Sequence, residues 1–387
     1  MKPANKPVSP NFSSGPTTKF PGWQLDMLNG VLAGRSHRSA PAKAKLKDII
    51  ETHRELLGIP ADYYIGIVPA SDTGAVEMAM WSMLGQRGVD VVAWENFSND
   101  WLLDSRDHLK LDDLRIFEAP YGELPDLNQL DCDRDIVFPW NGTTSGVRVP
   151  NGDWISPDRK GLTICDATSA VFAYDMPWDK LDVTTWSWQK VLGSEAAHGM
   201  LVLSPRAVER LESYTPDRPL PKIFRMTKKG KLNTAIFEGS TINTPSMLAV
   251  EDCLVALNWV RSIGGIAEMM RRSQKNYEAV AKWVESSDIF EFLCTDENVR
   301  STTSLCLKVK DPWLTAQSDD EQKAFIKSLI SLIDKEGAGH DFNAYRTAPA
   351  GLRIWGGATV EASDINCLLA WIDWAYAQLK SNEQEAA

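Results

Sequence analysis

The sequence has few cysteines and no long apolar run, and each shortage argues against a class of protein. Its 6 cysteines among 387 residues are scattered without a Cys-x-x-Cys pair, which disfavours a zinc site or a disulfide framework and suits a reducing compartment. No apolar run reaches the roughly 18 residues that a membrane-spanning helix needs. The start MKPANKPVSPNFSSGP is polar and has no signal-peptide core. We therefore expect a cytoplasmic protein with no metal site and no membrane partner.

The sequence also lacks a surplus of positive charge. Its 41 Lys and Arg against 52 Asp and Glu give a formal net charge of −11, so no global attraction draws nucleic acid or an anionic membrane. An anionic ligand must then be met by a local basic group. The segment LAGRSHRSAPAK is a candidate, with Arg35, His37, Arg38 and Lys43, although on composition alone a solvated basic loop is the simpler interpretation.

The sequence does contain a regular alternation of strand-like runs and helical patterns. The predicted strands lie at 64–70, 89–95, 114–120, 135–141, 162–167, 182–188 and 199–205. Helical patterns at 73–86 and 97–111 follow the first two strands. This alternation is typical of an α/β fold with a largely parallel sheet, in which ligands bind beyond the carboxyl ends of the strands.

A long helix is expected to bridge two domains. Thr244 as N-cap and Pro245 at the first helical position favour its start there, and Gly264-Gly265 favours its end. Further strands and helices predict a smaller α+β domain, at 301–310, 318–336, 351–357 and 363–380. The predicted ranges are 15–258 for the large domain and 259–387 for the small C-terminal one, which the N-terminal segment 1–14 is expected to join.

A lysine lies in an unusual place, within the segment TTWSWQKVLGSEAAHG (184–199). A buried, isolated ammonium is costly, so Lys190 should be paired, neutral or covalently engaged. Asp166 ends the preceding predicted strand, which places both side chains at one edge of the sheet. A pyridoxal phosphate enzyme needs this pair, because the lysine forms a Schiff base with the aldehyde and the carboxylate keeps the ring nitrogen protonated.

Three strand ends or helix starts offer groups for the cofactor's phosphate. The motif SDTG (71–74) precedes a helix whose first N–H groups are free to bind an anion. The motifs NGTTSG (141–146) and INTPSM (242–247) add hydroxyl and amide side chains. Taken singly, each is more often an ordinary helix cap.

The motifs SHRS, SDTGA, NGTTSG, ICDATS, WQKVLG, INTP and GLRIWGG, in this order, resemble the phosphoserine aminotransferase family. These are class V, fold-type I pyridoxal phosphate enzymes, and the resemblance extends from about Asn11 to the C-terminus. It implies a large domain with a mostly parallel mixed sheet and a smaller α+β domain. It also implies reversible amino transfer from L-glutamate to 3-phosphohydroxypyruvate, giving O-phospho-L-serine and 2-oxoglutarate. Whether the enzyme also serves vitamin B6 synthesis, by forming 4-phosphohydroxy-L-threonine, stays open.

The resemblance implies roles around the cofactor ring. Lys190 would form the Schiff base and then move the proton between Cα and C4′. Asp166 would pair with the pyridine nitrogen, and Thr143 would hydrogen-bond the ring hydroxyl. Phe97 would stack on the ring where the family commonly has Trp. The alternatives for the stacking side chain are Trp94 and Trp101.

The resemblance also implies how the cofactor phosphate is held. Asp72 and Thr73 would donate backbone amides, and Gln189 would contribute its side chain. Asn243 and Thr244 would reach in from a second subunit, since the family's active sites lie at the interface of a homodimer.

The basic segment gains a role from the same resemblance. His37 and Arg38 would hold the substrate phosphate, and Arg353 would bind the α-carboxylate, for which a planar guanidinium is suited. Arg346 lies where many members carry a histidine that touches the phosphate. Glutamate and phosphoserine share a distal anion, so one cationic pocket can accept both substrates in turn.

Other functions fit the sequence less well. A cysteine desulfurase needs a mobile nucleophilic cysteine, but Cys294 and Cys306 lie in or near predicted strands and suit a core. Relatives that act on alanine, serine or glyoxylate do not need His37 with Arg38. A non-catalytic phosphate-binding module does not need Lys190. We interpret the 15 Trp residues as core and interface packing rather than as a nucleotide-stacking surface.

Overall fold

A seven-stranded sheet forms the centre of the protein. In the computed structural model, which describes residues 1–386, its strands are β1 (Tyr64–Pro69), β2 (Val89–Ala93), β3 (Leu114–Glu118), β4 (Asp135–Pro139), β5 (Thr163–Asp166), β6 (Val183–Ser187) and β7 (His198–Leu203). Their spatial order is β1-β7-β6-β5-β4-β2-β3. Strand β7 is antiparallel to both neighbours, and the other adjacent pairs are parallel. This mostly parallel mixed sheet confirms the predicted fold class.

The helices of the chain pack partly against this sheet and partly in the C-terminal region of the chain. They are α1 (Ala40–Leu57), α2 (Ser71–Met83), α3 (Asn96–Leu103), α4 (Pro205–Ser213), α5 (Met247–Ile263), α6 (Ile266–Ser286), a short helix at Pro312–Thr315, α7 (Asp319–Lys335) and α8 (Ala362–Ala386). Strands β2 and β4 are buried at every residue, as expected for parallel strands covered on both faces. The edge strand β3 is largely exposed and carries Arg115 and Glu118, and such charges discourage pairing with another sheet.

Shorter elements connect this framework. A π-helical turn at Asp104–His108 continues α3. The 3-10 helices are Leu25–Leu28, Leu127–Gln129, Trp178–Lys180, Lys222–Phe224, Thr234–Glu238 and Glu297–Val299. Two small antiparallel pairs join Asn141–Gly142 to Val147–Arg148 and Thr227–Lys228 to Lys231–Leu232.

A second, three-stranded sheet lies in the C-terminal part of the chain. Its strands β8 (Phe290–Phe292), β9 (Ser304–Val309) and β10 (Gly351–Trp355) are antiparallel. The N-terminal segment packs here: the N–H of Phe12 donates to the carbonyl of His340, and the carbonyl of Phe12 accepts from the N–H of Trp355. These contacts agree with a small domain joined by the N-terminus. The predicted division at 258/259 stays a prediction, and the break between α5 and α6 comes a few residues later, at Gly264 and Gly265.

One prediction about a helix start was wrong. The bridging helix begins at Met247 with Ser246 as its N-cap, so Thr244 and Pro245 precede it. The N–H of Ser246 donates to His198 Nε2 at 3.0 Å, which ties the chain to β7 before the helix can begin. The basic segment is also only partly a loop, because α1 begins at Ala40 and includes Lys43. Its buried Leu46, Ile49 and Ile50 have helical spacing, which the Gly- and Ser-rich start concealed.

The amino edge of the central sheet is closed by buried ion pairs. Asp182 accepts from Arg159 at 3.0 Å and Asp135 accepts from Arg210 at 2.7 Å, and both carboxylates are fully buried. Such pairs are favourable in the interior only when hydrogen bonds satisfy both partners. These two carboxylates are therefore satisfied within the fold, whereas the opposite, carboxyl edge holds Ser187 and Gln189, whose buried oxygens have no hydrogen-bond partner within residues 1–386.

Within residues 1–386, no helix has the length and apolar character needed to cross a membrane. The same part of the chain contains no group of three or more His, Cys, Asp or Glu side chains arranged to hold a metal ion. Cys294 and Cys306 are both buried and free, as predicted for core residues.

Candidate active site

A cavity of about 270 Å³ opens at the carboxyl edge of the sheet, where the strand ends meet. It is lined by residues that follow β1, β2, β4, β5 and β6 and by Gly15 and Pro16 of the N-terminal segment. Seven of the predicted site residues line it: Asp72, Thr73, Phe97, Thr143, Asp166, Gln189 and Lys190. The structure therefore brings the predicted cofactor residues of a single chain to one place.

Lys190 lies just beyond β6, with its ammonium buried against the N-terminal segment. Its residue is 9% exposed, and Nζ donates a hydrogen bond to the carbonyl of Ser14 at 2.7 Å. Thr17 fixes the main chain here, since its N–H donates to the carbonyl of Gln189 at 2.9 Å and its hydroxyl donates to the carbonyl of Lys190 at 2.6 Å. Burial lowers the pKa of Lys190 to about 8, with a further lowering by the Arg353 charge.

Gly15 lets the N-terminal segment approach this lysine. A Cβ at position 15 would lie 2.5 Å from Lys190 Nζ, so the lysine side chain would have to move away from its observed position. Sequence reasoning did not identify Gly15, because its neighbour in space is 175 positions away in the chain. The one sequence feature that marks this position is a glycine within a polar N-terminal stretch.

Asp166 ends β5 and is held by two N–H donors. The indole Nε1 of Trp101 donates to its Oδ2 at 3.1 Å, and the N–H of Thr168 donates to its Oδ1 at 3.0 Å. Both bonds stabilise the ionised carboxylate. Trp101 is one of the alternatives for the stacking ring, but its 5% exposure and this hydrogen bond make it a support for Asp166.

Phe97 is the aromatic ring that faces the lysine. Lys190 Nζ lies 5.7 Å from the centroid of the Phe97 ring, which is 5.9 Å from the ring of Tyr345. The remaining alternative, Trp94, is buried, and its Nε1 donates to the carbonyl of Val147. The geometry therefore favours Phe97 as the stacking side chain, which stays a prediction.

The first turn of α2 presents its N–H groups to the cavity. Ala70 and Ser71 have φ of 66° and 55°, a left-handed conformation that is costly for these residues and is often found at functional sites. The helix begins at Ser71, so Asp72 and Thr73 lie in its first turn, where N–H groups lack intrahelical partners. A Cβ at position 74 would lie 2.3 Å from the carbonyl oxygen of Pro69, so this turn requires Gly74.

Thr143 and a buried glutamate complete the far wall. The Thr143 hydroxyl donates to Ser169 Oγ at 2.9 Å. Glu95, which sequence reasoning missed, accepts from the hydroxyl of Thr144 at 2.7 Å and from the N–H of Ser98 at 2.8 Å. Burial raises its pKa. The sequence pattern predicts Glu95 at the end of a strand, whereas it is the N-cap of α3 and lines the cavity.

A second cavity, of about 630 Å³, adjoins the first at Pro16 and is lined by Arg353, Arg346 and Tyr345. The Arg353 and Arg346 guanidinium carbons lie 5.6 and 5.7 Å from the Tyr345 ring centroid. Within residues 1–386, Arg353 Nε is buried without a hydrogen-bond partner. Two cations thus face the outer space next to Lys190, where an anionic substrate would enter.

Four predicted residues do not line either cavity of the single chain: His37, Arg38, Asn243 and Thr244. Arg38, Asn243 and Thr244 are exposed or half-buried. All four lie in the loops before α1 and α5. The single chain does not bring them to the site, and their predicted roles stay predictions.

The residues present fit pyridoxal phosphate. Within residues 1–386, the side-chain oxygens Ser187 Oγ and Gln189 Oε1 line this cavity and are buried without a hydrogen-bond partner, and buried polar groups are rarely left so. The free N–H groups of α2 suit a phosphate, Asp166 suits a protonated ring nitrogen, and Lys190 suits an aldehyde.

Comparisons with known proteins find aminotransferases among the relatives of this chain. No protein-family model matches the chain. It is 56% identical over 380 residues to a phosphoserine aminotransferase from Methanosarcina mazei, covering 98% of this chain and 100% of the relative. It is 57% identical over 380 residues to one from Methanosarcina barkeri, with the same coverage.

Solved structures support the fold. A phosphoserine aminotransferase from Cytophaga hutchinsonii superposes with a TM-score of 0.79 and 18% identity, over 95% of this chain and 98% of that one. A phosphoserine aminotransferase from Trichomonas vaginalis with bound pyridoxal phosphate gives a TM-score of 0.73 and 16% identity, over 94% and 99% of the chains. At these identities the likeness shows the fold alone.

We predict that the amine of Lys190 in the cofactor-free protein reacts with an acylating reagent at a half-maximal rate near pH 8. Its pKa is lowered to about 8, and only the neutral amine is a nucleophile, so the rate rises as the pH rises through that value. Pulse labelling followed by peptide mass spectrometry gives the profile. An unstructured lysine peptide, with the ordinary pKa of about 10.4, is the reference, and a Lys190 profile that follows the peptide would contradict the prediction.

Proposed function

The chain belongs to the phosphoserine aminotransferase family of pyridoxal phosphate-dependent enzymes, and we propose that it transfers the amino group of L-glutamate to 3-phosphohydroxypyruvate, giving O-phospho-L-serine and 2-oxoglutarate. One observation carries this proposal. The cavity that holds Lys190 and Asp166 adjoins the cavity that holds Arg353 and Arg346. A reactive amine and a carboxylate thus lie next to a cationic entrance for substrates that are anionic at both ends.

The roles of the inner residues follow from their geometry. When bound, pyridoxal phosphate supplies an aldehyde that takes up amino groups and a protonated ring that draws electrons from the reacting bond. Lys190 would hold that aldehyde carbon covalently through Nζ. Asp166, oriented by hydrogen bonds from two N–H donors, would hold a proton on the ring nitrogen. The N–H groups of Asp72 and Thr73 and the side chain of Gln189 would hold the phosphate, and Thr143 would face the ring hydroxyl.

Lys190 is also suited to move a proton. With a pKa lowered to about 8, its amine is partly neutral near pH 7, and a general base is most effective when its pKa lies near the working pH. The carbonyl of Ser14 orients Nζ by accepting its hydrogen bond. Pro16 lines both cavities and Phe97 lines the inner one, and these two side chains would limit the entry of water to the amine.

The outer residues would select the substrate. The Arg353 guanidinium, whose buried Nε lacks a protein partner within residues 1–386, would bind the α-carboxylate. Arg346 would contribute to a distal anion site that accepts either a phosphate or the γ-carboxylate of glutamate. A substrate without a distal anion leaves these cations without a counter-ion, which lowers its affinity.

His37, Arg38, Asn243 and Thr244 would complete the site of a second copy in a homodimer. Exposed apolar side chains support an interface on this side of the chain. Leu25 is 72% exposed and Leu248 is 56% exposed. They belong to neighbouring elements, because the 3-10 helix Leu25–Leu28 packs against α5. Large exposed apolar side chains grouped on one face are typical of an interface.

Among the predictions of the proposed function, the first concerns the cofactor. Protein loaded with pyridoxal phosphate should be yellow, and O-phospho-L-serine should remove its visible absorption whereas L-alanine should not. Lys190→Ala should fold, as judged by circular dichroism, and should lack turnover. If L-alanine removed the absorption equally, the proposed substrate would be wrong. A protein that added pyridoxal phosphate never colours would favour a non-catalytic binding module.

The second prediction separates the two anion sites. Arg353→Ala should weaken the half-reactions with phosphoserine and with alanine alike, because both carry an α-carboxylate. Arg38→Ala should weaken the phosphoserine reaction about 10- to 100-fold, the loss expected for a charged hydrogen bond, and should leave the slow alanine reaction unchanged. Single-turnover absorption measurements give both rates, and equal losses in Arg38→Ala would contradict this division.

The third prediction tests the shared site. Lys190→Ala and Arg38→Ala proteins, each impaired alone, should regain activity when unfolded and refolded together. A mixed dimer then contains one site with an intact Lys190 from one chain and an intact Arg38 from the other. Random pairing restores about a quarter of the sites of the native enzyme. No recovery, with mixed dimers verified by native mass spectrometry, would show that Arg38 serves its own chain.

A further inference from the structure

A second carboxyl group lies behind Asp166, at the floor of the cofactor cavity. It belongs to Asp72, which is 6% exposed. Its backbone is the predicted phosphate contact, but its buried side chain lines the same cavity as Asp166 and Thr168. The register agrees, because Asp166 of β5 is paired with Thr185 of β6, and α2 packs against both strands. The sequence motif SDTG gives no indication that the aspartate points inward.

Two adjacent buried carboxyls cannot both carry a charge at low cost. Their hydrogen-bond partners decide which one is ionised. Asp166 accepts from two N–H groups, those of Trp101 and Thr168, which favour its anion. Within residues 1–386, Asp72 Oδ1 has no hydrogen-bond partner. Burial first, and then the Asp166 charge, raises the pKa of Asp72 well above its ordinary value.

We propose that Asp72 stays protonated and donates its hydroxyl hydrogen to Asp166, as a positioning residue that keeps Asp166 ionised and aimed at the ring nitrogen. The inference rests on the proposed function for the role of Asp166, but the proton on Asp72 is a property of the cofactor-free chain. The pair shares one proton between two carboxyls. Asp166 then has three donors from the protein and one remaining direction for the ring N–H.

The neighbouring titratable groups are compatible with this state. Cys165 on β5 has a raised thiol pKa, from burial and then from Asp166 and Asp72, and stays neutral. His198 on β7 has a pKa lowered to about 4 by burial and is also neutral near pH 7. Glu95 lines the same cavity, and Arg353 lies in the adjoining one. Among the described residues that line the cofactor cavity, Lys190 is the one cation. Its single positive charge could not balance a negative charge on Asp72 in addition to that on Asp166.

The first test measures the stability of the cofactor-free protein against pH. A carboxyl whose pKa is raised by folding contributes stability that is complete below the unfolded pKa of about 4. That contribution is lost as the pH rises towards the folded pKa. Asparagine does not titrate, so the stability of Asp72→Asn relative to the native chain should increase from about pH 4 upward. The ratio of the two unfolding constants should change by up to tenfold per pH unit. Urea unfolding at several pH values measures this difference.

A second variant shows whether Asp166 is the cause. In an Asp166→Asn background the neighbouring charge is gone, so the gain from Asp72→Asn near pH 7 should shrink. A difference between Asp72→Asn and the native chain that does not change with pH would overturn the proposal, because Asp72 would then be ionised in the folded protein. An unchanged gain in the Asp166→Asn background would overturn the proposed partnership.

The third readout uses the loaded enzyme. Asparagine keeps a hydrogen-bond donor towards Asp166 and alanine does not, so Asp72→Asn should retain about tenfold more kcat than Asp72→Ala, with the same KM for phosphoserine. Asp72→Ala should also move the pH midpoint of the visible absorption. Equal losses in kcat would indicate a merely structural role and would overturn the proposal. Failure of the native enzyme to use phosphoserine would reject the proposed function and leave the pH result of the cofactor-free protein standing.

Discussion

The burial of one ammonium group, that of Lys190, is the constraint on which the site depends. The N-terminal segment provides its cover: Ser14 accepts the Nζ hydrogen bond, Gly15 leaves room for Nζ, and Thr17 fixes the adjoining backbone. The same segment includes Phe12, whose carbonyl accepts from the N–H of β10 two residues beyond Arg353. One stretch of chain therefore connects the amine of the large sheet to the strand of the small sheet that carries Arg353.

The two edges of the central sheet differ in how their buried polar groups are satisfied. At the amino edge, Asp135 and Asp182 are buried with arginine partners that satisfy their charges. At the carboxyl edge, Ser187 and Gln189 retain buried oxygens that lack partners within residues 1–386. Buried polar groups cost free energy unless they are hydrogen-bonded. The fold tolerates that cost where a ligand can remove it, which is the edge where parallel sheets hold their ligands.

The sequence predicts correctly those features of the site that depend on local sequence patterns. Strand ends such as those of Asp166 and Lys190 follow from apolar runs of strand length, and their shared edge follows from parallel strands. Sequence reasoning missed Gly15, Glu95 and the true role of Trp101, because each acts through a partner that is distant in the chain. The start of α5 was misplaced for the same reason: the bond from Ser246 to His198 is tertiary, and it outweighs the N-cap preference of Thr244.

The carboxyls around Lys190 show how the site controls its charge. Burial and the Arg353 charge lower the pKa of the amine, whereas any negative charge on a nearby carboxyl raises it. Three ionised carboxylates would favour a permanently charged lysine, which is useless as a nucleophile or base. Burial raises the pKa of Asp72 and Glu95, whereas Asp166 accepts hydrogen bonds from two N–H groups. The proposed proton on Asp72 would remove one negative charge from the surroundings of Lys190, and the amine could then lose its own proton more easily near neutral pH.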